Sequence, residues 1–234
     1  PVQYYLVSDT NFLNVNQLLD KEITLEHIGY QCLNCGQEKK IFRQGFCYDC
    51  FYSSPLAGEW IMKPELSTAH LGIKDRDLEY EKRVQLQPHV VYFSLSSELK
   101  VGVTRKTQIP YRWIDQGAVE ALQIVEVPNR YLAGITEVAL KNYFSDKTNF
   151  RKMLQNEIPN IDLMVEKNRA GALLPDEILP YYENDKSEIK KIEYPVLQYP
   201  TKVSSLNLEI NPIYKGKLKG IKGQYLIFED QTVF

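Results

Sequence analysis

Residues 89–105 read HVVYFSLSSELKVGVTR, and this stretch decides how the middle of the chain folds. Its first part, HVVYFSL, is a run of β-branched and aromatic residues with the length of a strand. Ser96, Ser97 and Glu98 then form a short polar turn, and LKVGVT is a second run of strand-forming residues. We therefore predict a β-hairpin over residues 89–105.

Downstream of the hairpin the pattern alternates between helix and strand. Pro110 suits the first turn of a short helix that ends at Gly117, and ALQIVEVP follows as a third strand. From Arg130 the apolar residues take helical spacing, and DKTNFRKML predicts another helix with Asp146 as its N-cap. The order strand, strand, helix, strand, helix, helix predicts a small mixed α/β unit.

Composition and charge restrict the class of protein. Lys and Arg number 28 against 30 Asp and Glu, which gives a formal net charge of -2 over 234 residues. A nucleic-acid-binding surface would therefore have to be a local patch. No apolar run approaches the roughly 18 residues that span a bilayer, and no charged segment followed by an apolar segment resembles a secretory signal. We expect a cytoplasmic protein that does not contact a membrane.

All four cysteines lie in one 19-residue window, as the CxxC pairs Cys32/Cys35 and Cys47/Cys50. Two such pairs can present four thiolates tetrahedrally to one Zn²⁺ at about 2.3 Å. Gly36 allows the tight turn after the first pair. Two disulfides or four free thiols are the alternatives, and a cytoplasmic setting argues against disulfides. We predict a zinc ribbon with a structural Zn²⁺, because four Cys ligands leave no open position for water.

Changes in composition along the chain predict an α+β protein with a zinc ribbon, a small mixed α/β domain and a C-terminal β-rich domain. The expected segments are 1–55 with β segments and the zinc ribbon (32–50), 56–88 as a connector, 89–166 as the α/β domain, 167–194 as a polar connector, and 195–234 as the β-rich region.

Basic residues gather at two places. Arg105 and Lys106 end the hairpin, and Arg112 opens the next helix with no carboxylate between them. The run KGKLKGIKG carries Lys217 and Lys219 and contains no acidic residue. Both groups could contact phosphates of a nucleic acid. The alternatives are an ordinary solvated turn in the first case and lysines that protect an edge strand from aggregation in the second.

Residues 89–152 resemble the GIY-YIG nuclease superfamily. Its hallmark is a hairpin with two short motifs, followed by a helical Arg and, further on, a helical Glu. Here VVY at 90–92 stands at the place of GIY, and KVG at 100–102 stands at the place of YIG. Arg112 and Glu137 occupy positions that suit the Arg and the Glu. The wider chain, including RWIDQGA, PNRYLAGITEVALK and the upstream cysteines, resembles an uncharacterised bacterial family with a domain of unknown function.

The superfamily resemblance implies a site and a reaction. In these nucleases a Tyr lies close to the nucleophilic water, an Arg holds the scissile phosphate, and a Glu binds a single Mg²⁺ or Mn²⁺. Tyr92, Arg112 and Glu137 would take these roles, and Gly102 would let the backbone approach the substrate. Lys100 stands in place of the second Tyr and could bind phosphate directly.

Each residue also has a purely structural explanation. Tyr92 could be a core aromatic, Arg112 could pair with Asp115 or Glu120, and Glu137 could be a solvated surface carboxylate. Three interpretations therefore remain: a nucleic-acid-binding protein that cleaves phosphodiesters with a divalent metal, a non-catalytic module that binds nucleic acid or protein, and a structural scaffold. The sequence does not distinguish DNA from RNA.

Overall fold

The structure is a computed structural model that describes residues 1–145, 148–182 and 188–234. Its mixed α/β character agrees with the prediction, and no helix in these ranges is long and apolar enough to cross a membrane. The elements in chain order are β1 (Tyr5–Val7), β2 (Phe12–Asn14), β3 (Glu22–Glu26), α1 (Tyr48–Ser53), α2 (Leu78–Gln85), β4 (His89–Leu95), β5 (Leu99–Arg105), α3 (Tyr111–Asp115), β6 (Glu120–Val127), α4 (Arg130–Lys141), α5 (Phe150–Leu154), α6 (Leu163–Gly171), β7 (Lys190–Lys191), β8 (Ser204–Ser205), β9 (Ile213–Lys222), β10 (Tyr225–Phe228) and β11 (Thr232–Val233).

The predicted hairpin supplies two adjacent strands of the main sheet, whose strand order is β5–β4–β6–β7. In the antiparallel pair of β4 and β5, Tyr92 lies opposite Gly102 and Ser94 lies opposite Lys100. β6 pairs with the other side of β4. All residues of β4 are buried, because both faces of this strand are covered. β5 therefore stands at the end of the sheet.

Helices α3 and α4 pack against opposite faces of this sheet. Phe93 belongs to the core cluster that contains Leu140 of α4. Tyr92, whose side chain points the other way, packs edge-to-face on Trp113 of α3 with ring centroids 5.9 Å apart. The alternation of side chains along β4 thus supplies two apolar faces, one for each helix.

The helix boundaries follow local capping. α3 begins directly after Pro110 and ends two residues before Gly117, which has the positive φ of 69° typical of a helix stop. The side chain of Asn129 accepts a hydrogen bond from the backbone of Leu132 at 2.9 Å and caps α4. The predicted N-cap Asp146 lies outside the described residues, and α5 begins at Phe150 with Asn149 as its N-cap.

Residues 56–88, assigned from the sequence to a connector, form a series of short 3-10 turns followed by α2, and the turn Pro64–Leu66 packs on α4. The turn Pro64–Leu66 lies directly over Gly134, where a Cβ atom would overlap the backbone of Pro64 and Glu65. Only glycine permits this approach. Residues 56–88 therefore lie beside β5, and we call them the wall segment.

A buried carboxylate holds this wall in place. Glu81 is fully buried, and its oxygens accept hydrogen bonds from the backbone N–H groups of residues 75–77 at 2.6 to 2.9 Å. The guanidinium of Arg76 donates to the carbonyls of Phe51 and Ser54 at 2.8 and 2.7 Å. The cysteine-containing segment is thus tied to the wall.

The second sheet combines the two ends of the chain. Its strand order is β3–β9–β10–β11–β8, with β3 and β9 antiparallel. The segment before the cysteines and the predicted β-rich C-terminal region therefore share one sheet. Lys222 at the end of β9 is buried, donates to Asn156 Oδ1 at 2.8 Å, and connects this sheet to the turn after α5.

The contact at Gly134 yields a prediction about stability. In an exposed helix, Gly to Ala stabilises by roughly 0.5–1 kcal/mol. Gly134→Ala should instead lower the free energy of unfolding by about 1–3 kcal/mol, because the new methyl group meets backbone rather than a movable side chain. Denaturant unfolding of this variant and of Val138→Ala, an exposed position on the same helix, tests this expectation. A Gly134→Ala protein as stable as the parent would contradict it.

Candidate functional site

The four cysteines come together in one cluster. Their Sγ atoms all lie within 4.8 Å of one another, with Cys35 exposed and the other three buried. The backbone N–H of Cys47 donates to Sγ of Cys32 at 3.3 Å, and the side-chain amide of Asn34 donates to Sγ of Cys50 at 3.3 Å. Such N–H groups favour thiolates over thiols. At Cys50 this effect of Asn34 is outweighed by burial and by the three neighbouring cysteines, which raise the pKa of Cys50 to about 12.

Two glycines shape the turns around these cysteines. Gly36, singled out in the sequence, has a φ of 66°, and its N–H donates to the Cys32 carbonyl at 2.9 Å. Gly45 has a φ of 82° and packs against Leu33. Backbone N–H groups, that of Cys35 first, lower the pKa of Cys32 to about 6. The four cysteines could therefore bind a zinc ion, and in the described ranges no other group of three or more Cys, His, Asp or Glu residues is placed to do so.

A second feature is a cavity of about 230 Å³ at the β5 end of the central sheet, which we call the edge cavity. All four residues predicted as catalytic line it. The polar residues of its lining are Tyr92, Lys100, Arg112, Gln116, Arg130, Glu137 and Lys141. The other lining residues are Gly102, Val101, Val103, Ile61, Met62 and Pro64. The hairpin, α3, α4 and the wall segment 56–88 thus each contribute to one site.

The end position of β5 explains this convergence. Lys100 and Gly102 lie on the face of Tyr92, whereas Val101 and Val103 lie on the opposite face, and all four border the cavity. The cavity therefore extends around the edge of the sheet. Helices on opposite faces can both reach it there, which is how α3 and α4 bring their side chains together.

Tyr92 is fully buried, and its hydroxyl donates to Oε1 of Gln116 at 3.0 Å. Burial raises the pKa of Tyr92 to about 12, against an opposing effect of the nearby Arg112 charge. The phenol therefore keeps its proton at neutral pH. A Cβ atom on Gly102 would lie 2.8 Å from the Tyr92 hydroxyl oxygen, so this glycine makes room for the tyrosine ring.

Glu137 points into the cavity and is only 9% exposed. The ammonium of Lys141, one helical turn later, lies 3.6 Å from its Oε2 atom. Burial raises the pKa of Glu137, while the positive charge of Lys141 opposes that rise. The carboxylate is therefore held in a poorly hydrated place where a cation stabilises its charged form.

Arg112 is exposed at the cavity mouth and, in the described part of the chain, forms no ion pair. Glu120, one of the partners considered from the sequence, lies 3.9 Å from the ammonium of Lys191 instead. Burial raises the pKa of Asp115, the other partner considered, and the charge of Arg112 opposes this shift. The guanidinium contacts the Tyr92 hydroxyl and, with no carboxylate paired to it among the described residues, can also bind an anionic ligand.

Sequence reasoning missed Arg130. Its guanidinium donates to the carbonyls of Trp60 and Ile61 at 3.1 and 2.8 Å and lies over the Trp60 ring, 5.4 Å from the centroid. Burial lowers the pKa of Arg130 to about 10, which leaves it charged at neutral pH. A signal was present, because the helix dipole disfavours a cation at the first position of a helix. Lys141 was missed as well, although it follows Glu137 by four residues.

A larger cavity of about 450 Å³, here named the adjoining cavity, shares Arg112, Arg130, Ile61 and Val103 with the edge cavity. Arg105, predicted to bind nucleic acid, lines it.

The other predicted nucleic-acid-binding lysines line neither cavity. Lys106 lies 2.9 Å from Glu126. Lys217 and Lys219 lie on β9, at 3.1 and 2.6 Å from Asp20.

Comparison with known proteins places the chain in a family. No curated protein and no solved structure matches it. A family model described as a protein of unknown function (DUF2797) matches residues 20–234, which include the cysteine cluster and every residue of both cavities. The chain therefore belongs to the DUF2797 family.

Proposed function

We propose that this protein binds nucleic acid at the edge cavity and cleaves a phosphodiester bond there with a divalent metal. One observation carries the proposal: Tyr92, Lys100, Arg112 and Glu137 come from a hairpin and two helices, yet they line a single cavity of about 230 Å³. These are the residue types that the GIY-YIG resemblance assigns to such a reaction, with Lys100 in place of the second tyrosine.

The charge of the cavity favours a phosphate. Lys100, Arg112, Arg130 and Lys141 contribute cations, and Glu137 alone among the described lining residues contributes a carboxylate. Donors fixed in a partly buried place stabilise an anion more strongly than the same groups in water. In the proposed complex Arg112 holds the scissile phosphate, and Lys100 contacts the same or a neighbouring phosphate.

The donor set fits a Mg²⁺ or Mn²⁺ ion shared with the substrate. Mg²⁺ is commonly bound through one or two carboxylates together with phosphate oxygens and water. Glu137 would hold such an ion in place of its ion pair with Lys141, because among the described lining residues it alone presents a carboxylate to the cationic, phosphate-sized cavity. Once bound, the metal would neutralise charge that develops on the phosphate oxygens.

Tyr92 supports this reaction as a neutral group. A phenol whose pKa is about 12 cannot act as the proton acceptor at neutral pH. Its hydroxyl proton is engaged with Gln116, and its oxygen lies within hydrogen-bonding reach of the Arg112 guanidinium. We assign Tyr92 the role of positioning Arg112 and Gln116 beside the phosphate.

A second candidate function is a non-catalytic module that binds nucleic acid or protein at the same cavity. The ion pair between Lys141 and Glu137 favours it, because a carboxylate that is occupied by an ammonium group has less to offer a metal. In this alternative the cationic lining grips a phosphate and no bond is broken.

The two functions differ in the expected behaviour of Glu137→Gln. This variant should keep its affinity for oligonucleotides and lose Mg²⁺- or Mn²⁺-dependent cleavage, whereas Arg112→Ala should lose both. Arg151→Ala removes an exposed arginine that lines neither cavity and should change neither property. Binding is measured by fluorescence anisotropy at several salt concentrations, since phosphate contacts make affinity fall as salt rises.

The pH dependence of cleavage should reflect Glu137. On acidification, cleavage should be lost at a pH above the ordinary pKa of a glutamate, because burial raises the pKa of Glu137 and the metal needs the charged carboxylate. Salt-sensitive binding without cleavage in the parent protein would select the non-catalytic module. Absence of any binding at about 50 mM salt would refute both functions.

We also propose that the cysteine cluster binds one structural Zn²⁺ per chain. Native mass spectrometry should show a single zinc, and Cys35→Ser, which replaces the exposed ligand, should lower the occupancy and the unfolding temperature. Ser53→Ala, an exposed position on the neighbouring helix α1, is the control. A metal-free protein with an unchanged unfolding temperature would rule out this role.

A further inference from the structure

The two cavities differ in size in a way that bears on the ligand. Small-molecule pockets usually measure about 300–1,000 Å³. The edge cavity, at about 230 Å³, is sized for a phosphate group with a few waters, whereas the adjoining cavity of about 450 Å³ can hold a nucleoside. Because Arg112 and Arg130 border both, a phosphate held by these arginines would have its attached nucleoside within reach of the larger space.

The chemistry of the adjoining cavity matches the parts of a nucleotide. Its lining includes one carboxylate, that of Asp115, together with three aromatic side chains and three arginines, namely Trp60, Tyr80, Tyr111, Arg105, Arg112 and Arg130. Aromatic rings and guanidinium planes are the groups on which proteins stack unpaired bases. Arginines also contact the phosphates that flank such a base.

Tyr111 is the most informative member of this set. It directly precedes Arg112 at the start of α3, lines the cavity, and is 70% exposed. A tyrosine this exposed contributes little to the core, and its ring can stack on a base at the cavity mouth. Gln108 also lines the cavity and can form hydrogen bonds with the edge of a base. Its Oε1 atom accepts a hydrogen bond from the Thr104 hydroxyl at 3.2 Å, so its amide N–H groups can donate to a ligand.

Resting on the function proposed above, we propose that the adjoining cavity receives one unpaired nucleotide next to the phosphate held by Arg112, so that the substrate is single-stranded nucleic acid. A base inside a duplex is stacked between neighbours and bonded to its partner, and it cannot enter a cavity of this size without being extruded. A single strand presents its bases without that cost.

The test compares one labelled oligonucleotide as a single strand and annealed to its complement, in DNA and RNA form, without added Mg²⁺ or Mn²⁺. The protein should bind the single strand at least about tenfold more tightly. Tyr111→Ala should weaken single-strand binding by about 5- to 150-fold, the range for one base stacked on an aromatic ring, and leave duplex binding unchanged. Tyr111→Phe should retain the parent affinity. Tyr143→Ala, an exposed tyrosine that lines neither cavity, is the matched control.

Each outcome has a separate meaning. Equal affinity for both forms, or a Tyr111→Ala variant with parent affinity for the single strand, would overturn the proposal that the adjoining cavity receives a nucleotide. Binding that is lost in Arg112→Ala would in that case still support the proposed function of the edge cavity. If neither form binds, or if Arg112→Ala changes neither affinity, the proposed function fails and the nucleotide cavity fails with it. Circular dichroism of Tyr111→Ala establishes that the variant is folded.

Discussion

The position of β5 at the end of the central sheet is the constraint on which the candidate site depends. A sheet normally separates the helices on its two faces, so side chains from those helices cannot meet. At the end of a sheet this separation disappears, and Arg112 from α3 and Glu137 from α4 border the same cavity. The end of a sheet also leaves backbone groups to be covered, and here the backbone N–H of Val101 donates to the carbonyl of Ser145 at 3.0 Å, while the wall segment lines the cavity beside β5. A close contact through Gly134 holds this segment against α4.

The electrostatics of the site contrast with those of the whole chain. A protein with a net charge of -2 concentrates four cations and one carboxylate around the edge cavity, counted over the described lining residues. Glu137 is stabilised by Lys141, and Arg130 is engaged with carbonyl groups of the wall. Arg112 is exposed and makes no ion pair in the described part of the chain. Binding of an anion at Arg112 therefore requires little rearrangement, whereas binding of a metal at Glu137 requires Lys141 to move.

Local sequence patterns predicted what depends on local structure. The hairpin followed from β-branched and aromatic runs around a short turn, and the cysteine cluster followed from ligand spacing. The grouping of Tyr92, Arg112 and Glu137 came from a resemblance in their order along the chain. The features that sequence patterns did not predict depend on contacts between distant segments. The wall of residues 56–88 requires Gly134, and the pairing of Lys219 with Asp20 requires β3 and β9 to share a sheet. Glu137 is buried near Glu65 of that same wall, whereas helical spacing alone suggested a solvated residue.

A crystal structure with Mn²⁺ and a single-stranded oligonucleotide that carries a non-cleavable phosphate analogue tests the central claim most directly. The account predicts an anomalous peak at about 2.0–2.3 Å from a carboxylate oxygen of Glu137, with the analogue in contact with Arg112. Mn²⁺ bound elsewhere, or an oligonucleotide that lies on Lys217 and Lys219 of β9 and leaves the edge cavity empty, would contradict it.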